Sequence, residues 1–259
     1  MSRSSSKDKY LEMRRYDLKA KLLKKNQTEF NNLQGSKTLP ASLSSPYLYY
    51  ESLLTRVLKP NSKVLEIGSG TGTHTYFPLL KGSKVLASDI SIESLKLLKV
   101  RFRNFKKLTI QVIDMENINF PDKSFDVVIS AGALSYGDNL IVAKEIHRVL
   151  KFNGYFVCVD SFNHNPIYRL NRWIHYLRGN RSLSTLLQMP DCSSISNYEK
   201  IFKTVRVRYF GAASFLRPFL KLFFTEKTIK FFIDRIDILF RTHKSAFKFV
   251  MIAKKHEYK

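Results

Sequence analysis

From residue 63 onward, short apolar, β-branched runs alternate with amphipathic segments, and that alternation predicts βαβ units around a parallel sheet. The runs are KVLEI from Lys63, KVLASD from Lys84, LTIQVI from Leu108, FDVVIS from Phe125 and YFVCVD from Tyr155. Each has strand length and is apolar enough to be covered on both faces. Between them, Leu95, Leu98 and Phe102 follow the candidate cap Ser91 at helical spacing, and Val142, Ile146, Val149 and Leu150 follow Asp138 in the same way. The stretch KFNG is expected to close the second of these helices on a left-handed Gly154.

The pattern breaks between residues 161 and 203, where NHNP, RGNRS and QMPD punctuate what reads as an inserted helical cap. Within it YRLNRWIHYLRG splits into an apolar face of Leu170, Trp173, Ile174 and Leu177 and a polar face with Arg169, Arg172 and Tyr176. Alternation then returns. FKTVRVRYF reads as a strand, EKTIKFFIDRIDILF as a helix, and FKFVMIA as a last strand. The helix carries Ile229, Phe232, Ile233, Ile236, Leu239 and Phe240 on one side, the stripe expected of a helix that covers a sheet. The chain thus divides into a basic tail and helix (1–45), a core (46–160), the cap (161–203) and two strands with a helix that complete the core (204–259).

The first run ends in an acid and then opens into glycines at every second position, VLEIGSGTGTHT. A strand feeding a glycine turn puts free backbone amides at the carboxyl edge of the sheet, where ligands bind. Gly68, Gly70 and Gly72 keep Cβ atoms out of the way, and Glu66 stands at the strand end. Asp89 follows about twenty residues after the first glycine, the distance at which an acid reaches the ribose hydroxyls of a nucleoside. The pyrophosphate fingerprint would be GxGxxG, but position 73 is threonine. A GxGxG loop behind an acid suits a ligand bearing an ammonium and no phosphate, which Glu66 would attract directly or through water.

With DMENINFPDKSFDVVIS and EIHRVLKFNGYFVCVDSF added to that loop, residues 46 to 161 resemble the class I S-adenosylmethionine-dependent methyltransferases of the small-molecule type. The resemblance implies a Rossmann-like α/β fold of seven strands with the last antiparallel, and S-adenosylmethionine as cofactor. It places Asp89 on the ribose, Asp114 on the adenine amino group, and Ile90 and Met115 against the adenine ring, with further contacts from Ser69 and Ser130. The run NHNPIYRLNRWIHYLRG is also similar, more loosely, to the cap of methyltransferases associated with bacterial surface glycans. That raises O-methylation of a sugar or glycan precursor above other acceptors.

A sulfonium carries its own activation, so the protein has mainly to align the acceptor and exclude water. An aliphatic hydroxyl would also need a base, and His164 and Asp160 in DSFNHNP, with Tyr136 in SAGALSYG, are the candidates. His74 is expected to touch the cofactor or cap a helix. Arg172 and Arg169 would read a phosphate or carboxylate of the acceptor.

A net charge of +23 over 259 residues makes anionic partners worth weighing, although the charges spread along the chain. Two alternatives follow: a quinone or lipid methyltransferase in peripheral contact with a membrane, and an RNA methyltransferase. Against the latter, the sequence carries no recognisable RNA-binding module and no proline-aromatic tetrapeptide after the fourth strand. A cofactor-binding assembly partner and a nicotinamide oxidoreductase rank lower. No apolar stretch approaches the roughly 18 residues that cross a bilayer. The opening MSRSSSKDKYLEMRRYDLKAKLLKK lacks a secretory apolar core, and Cys158 and Cys192 form neither a disulfide framework nor a zinc motif, so a cytoplasmic setting and no metal are expected.

Overall fold

The computed structural model describes residues 6–25, 35–179, 182–239, 243 and 245–257. Seven strands form one sheet in the order β3-β2-β1-β4-β5-β7-β6: β1 Lys63–Ile67, β2 Lys84–Asp89, β3 Leu108–Val112, β4 Phe125–Ala131, β5 Leu150–Ser161, β6 Thr204–Phe210 and β7 Lys248–Lys254. All neighbours are parallel except β7, which runs antiparallel to both β5 and β6. Strand order reverses between β1 and β4, so a crevice opens at their carboxyl ends.

The apolar runs become strands because each serves two cores. On β1, Leu65 and Ile67 join Val128, Phe156 and Phe202 on one face, while Val64 joins Leu54, Ile129 and Val157 on the other. Helices α1 Ser6–Lys25, α2 Ala41–Val57, α3 Tyr76–Leu80, α4 Ile92–Arg101 and α5 Asn139–Val149 belong to the first part of the chain. Ser91 and Asp138 cap α4 and α5, each side chain accepting from backbone amides of the first turn. The cap region holds α6 Pro166–Leu177, α7 Leu183–Leu187 and α8 Cys192–Phe202, and α9 Arg217–Leu220 and α10 Glu226–Leu239 follow β6.

Three expectations are corrected. Helix α5 runs straight into β5 at Leu150, and the left-handed residue is Asn153 (φ 62°), not Gly154. Glycine is required at 154 for space, because a Cβ there would meet the carbonyl oxygens of Asp126 and Lys151 at 2.9 Å. Gly154→Ala should therefore cost about 1–3 kcal/mol in urea unfolding, the usual range for an overpacked site.

Helix α6 turns over. Its apolar face is outside, with Leu170, Trp173, Ile174 and Leu177 exposed, and Arg172, expected to read an acceptor, is buried with Tyr168. The turn that precedes the helix presents acceptors that need donors. Arg172 donates to the Phe162 carbonyl at 2.8 Å and to Asn163 Oδ1 at 2.9 Å, while Tyr168 donates its hydroxyl to the Gly211 carbonyl.

The stripe on α10 is only half used. Ile229 and Ile233 are buried on the side that packs against α2, whereas Phe232 and Leu239 stay exposed, and Phe240 lies outside the described residues.

Candidate active site

The glycine turn after β1 is pinned to the end of β2. Ser69 N–H donates to the Ser88 carbonyl and Gly70 N–H donates to Asp89 Oδ2, both at 2.9 Å. Gly68, Gly70 and Gly72 all sit at positive φ (64°, 53° and 88°), a conformation that glycine adopts without strain. Their neighbours differ. Gly68 abuts Ala133 just after β4, Gly70 has open space where a Cβ would stand, and Gly72 packs on Leu98 of α4 and on Phe102, which caps that helix. Only Gly68 and Gly70 of the three line the cavity. Helix α3 begins only at Tyr76 and has five residues, so backbone amides rather than a long helix dipole face the crevice.

That cavity has a volume of 350 Å³. Asp89 and Ile90 after β2, Asp114 and Met115 after β3, and residues 131–133 after β4 form its floor. Burial raises the Asp89 carboxyl above its ordinary range, and hydrogen bonds from the Ser91 and Gly70 amides counter that. Asp114 accepts from Lys9 Nζ at 2.6 Å and from the Glu116 amide at 3.0 Å.

The roof was not foreseen. Helix α1 lies across the cavity and lines it with Lys9, Glu12, Tyr16, Lys19, Ala20 and Leu23. It is tied down at three points. Lys9 bridges Asp114 and Glu116, Glu12 accepts from Thr185 Oγ1 at 3.0 Å, and Asp17 accepts from the Ser91 hydroxyl at 2.6 Å. The signal was the set of acids in an otherwise basic segment, which have specific donors to meet.

Tyr136 does reach the cavity. Its hydroxyl shares a 2.5 Å hydrogen bond with that of Tyr16, and the rings meet edge to face. Burial, reinforced by Tyr136, holds the Tyr16 phenol far above its ordinary pKa, so it stays neutral. His74 lines the same cavity, stacked on Tyr47 at 5.1 Å, and burial lowers its pKa to about 4, leaving a neutral imidazole at pH 7.

The other expected bases lie elsewhere. Asp160 is buried beneath the β4 turn, where it accepts from the Leu134 amide at 2.9 Å, and does not border the cavity. It positions the turn that carries Tyr136. His164 faces a separate hollow with Asn163, Arg169 and Trp173, its Nδ1 3.5 Å from Cys192 Sγ. His243 joins them, with one potential donor atom from each of the three within 4.8 Å of the others, a cluster the cysteine spacing did not foretell. Arg172 is committed to backbone as described, and Arg169 borders the His164 hollow. Ser130 is fully buried and likewise does not border the cavity.

Glu66 is buried behind the glycine turn, accepting from Thr75 Oγ1 at 2.6 Å, rather than lining the cavity. Burial raises its pKa to about 8. The folded chain then keeps a proton that the unfolded chain releases near pH 4.5, so this group's contribution is full below that pH and is lost as pH rises through about 8. Glu66→Gln should flatten the fall in the melting temperature between these limits, read by thermal denaturation across that range.

The residues fit a nucleoside with a phosphate-free extension: bare amides, acids at the ends of β2 and β3, and apolar walls between them. The sheet topology is that of the Rossmann-like class I methyltransferase fold, and the cofactor that goes with it is S-adenosylmethionine. Residues 65–158 match the family described as Methyltransferase domain. Among relatives, demethylmenaquinone methyltransferase of Tropheryma whipplei (strain Twist) is 33% identical over 114 residues, 42% of this chain and 47% of that protein. The ubiquinone/menaquinone biosynthesis C-methyltransferase UbiE of Rickettsia bellii (strain OSU 85-389) is 31% identical over 124 residues, 44% and 50% of the two chains. The chain thus spans about half the length of each of these relatives. Phosphoethanolamine N-methyltransferase 2 of Haemonchus contortus, solved with S-adenosyl-L-methionine, shares the fold with a TM-score of 0.57 at 17% identity, over 82% of this chain and 53% of that one.

Proposed function

We propose that this chain transfers a methyl group from S-adenosylmethionine to a small amphipathic acceptor whose nucleophile is phenolic or an activated ring carbon, the chemistry of a quinone precursor. The observation that carries this reading is the two-part lining of one cavity: bare loop and strand-end acids on the floor, and the Tyr16–Tyr136 hydroxyl pair with neutral His74 nearby. The cofactor supplies an electrophilic methyl on a sulfonium. Gly68, Ser69 and Gly70 cradle its amino-acid end, Asp89 takes the ribose hydroxyls, and Asp114 takes the adenine amino group between Ile90 and Met115. Tyr16 and Tyr136 hydrogen-bond the acceptor oxygen and align it, and α1 excludes water.

The names of the two quinone-pathway relatives support this acceptor class. Glycan O-methylation is the weaker reading, because an aliphatic hydroxyl needs a base, neither His164 nor Asp160 borders the cavity, and burial makes His74, which does, a weak one. The test is transfer of labelled methyl to prenylated hydroquinones and to sugar nucleotides in parallel. Label in the hydroquinone is expected; label in the sugar nucleotides alone would overturn the acceptor assignment.

A further inference from the structure

We infer that the carboxyl edge of the sheet, around the cavity, is a docking surface for an anionic lipid bilayer; the inference rests on the amphipathic acceptor proposed above and says where that acceptor comes from. Helix α6 follows the carboxyl end of β5, and the segment containing α9 follows that of β6, which is parallel to β5 through β7. Both therefore lie at the edge where the cavity is built. They are neighbours: Tyr168 of α6 donates to the Gly211 carbonyl, and its ring meets Phe215 edge-on.

Each turns large apolar side chains to solvent. Leu170, Trp173 and Leu177 project from α6, with Leu177 77% exposed. Phe219, Leu222 and Phe223 project from α9 and the turn after it, at 68%, 75% and 79%. Scattered exposed hydrophobes need no explanation, but two adjoining clusters of this size on one edge do. Trp173 has the amphipathic ring favoured at the level of lipid headgroups.

Charge selects the occupant. The sequence has no Asp or Glu from 161 to 190 or from 200 to 225, yet those stretches contain Arg169, Arg178, Arg206 and Arg208, besides Arg217 and Lys221, which pair with Glu226. In α10 the acids are consumed internally: Glu226 by Ser42, Arg217 and Lys221, Asp234 by Ser45 and Lys230, and Asp237 by the Gly211 and Ala212 amides. Asp191, beside Arg169 and Trp173, is likewise engaged, accepting from the Ser194 amide and hydroxyl as the cap of α8. An apolar surface with an excess of cations and its neighbouring acids engaged is complementary to anionic headgroups over acyl chains. No helix among the described residues is long and apolar enough to cross a membrane, so the contact is peripheral.

The experiment is flotation of the full chain with phosphatidylcholine vesicles, with and without phosphatidylglycerol. Binding should be about tenfold stronger with the anionic lipid and should weaken as salt is raised. The double variant Phe219→Ser/Phe223→Ser and, separately, Leu177→Ser should each lower vesicle binding at least about threefold, since each removes exposed apolar area available to the lipid. Affinity for S-adenosylhomocysteine should not move in either variant, because these side chains lie outside the cavity. No flotation by protein that still binds S-adenosylhomocysteine would overturn the inference, as would flotation indifferent to the substitutions. Sedimentation showing that the same substitutions dissolve a dimer, with vesicle binding unchanged, would assign the surface to a second copy of the chain and overturn it too. Transfer to a water-soluble phenol reads the proposed reaction without lipid, so the two ideas fail separately.

Discussion

Asp89→Ala should weaken binding of S-adenosylmethionine roughly hundredfold, equivalent to about 3 kcal/mol, as measured by titration calorimetry with the cofactor or its demethylated product. Two losses combine. The carboxylate is proposed to hold the ribose, and it also holds the loop, since Asp89 Oδ2 accepts from the Gly70 amide and Oδ1 from the Ser91 amide. Removing it leaves two backbone donors without their acceptor beside a cavity that has lost its anion. Asp89→Asn keeps the shape and one acceptor oxygen but not the charge, and should fall between alanine and the native residue. If Asp89→Ala bound as tightly as the native chain, the nucleoside would have to lie elsewhere.

The second large effect separates two glycines that look alike in sequence. A Cβ on Gly68 would stand 2.2 Å from the Cβ of Ala133, and φ is 64°. Both residues are held by neighbouring strands, so the overlap cannot be relieved by rotating a side chain. Gly68→Ala is expected to destabilise the fold by about 2–4 kcal/mol, from overpacking plus the left-handed backbone. At Gly70 φ is 53° but a Cβ would meet nothing within 4 Å. Gly70→Ala should therefore cost only about 1 kcal/mol of stability, the left-handed penalty alone. Its methyl group would enter space on the cavity lining, so cofactor affinity should suffer more than stability does. Urea unfolding and calorimetry on the same two variants give the comparison; equal stability losses would refute the packing argument.

Most of the central sheet could be read from the chain because β1, β2, β4 and β5 are largely buried on both faces, and double burial leaves a short run dominated by apolar residues. Asp89 and the glycine turn were legible for a related reason: a strand end, a turn and a second strand end fix three residues at a spacing set by backbone geometry. The misreadings come from segments whose inner face is polar. Helix α1 turns Lys9, Glu12 and Tyr16 inward toward the cavity and the ends of β3 and α7, so no apolar stripe announced it as a roof. Helix α6 has a strong apolar stripe that faces out, since Arg172 is drawn inward by the carbonyl of Phe162. His164 looked well placed because it follows β5 by only a few residues. The first turn of α8, with Cys192, instead receives it in a separate hollow. Glu66 was read at the right strand end, but Thr75, nine positions on, takes its carboxylate behind the turn.

We propose that the crevice between β1 and β4, roofed by α1, holds S-adenosylmethionine with its nucleoside between Asp89 and Asp114. Calorimetric titration of the native chain with S-adenosylmethionine, S-adenosylhomocysteine and NAD tests it most directly. Saturable one-to-one binding of the first two is expected, abolished or greatly weakened by Asp89→Ala, and none of the third. Folded protein that takes up neither sulfur nucleoside, or that prefers NAD, would contradict it.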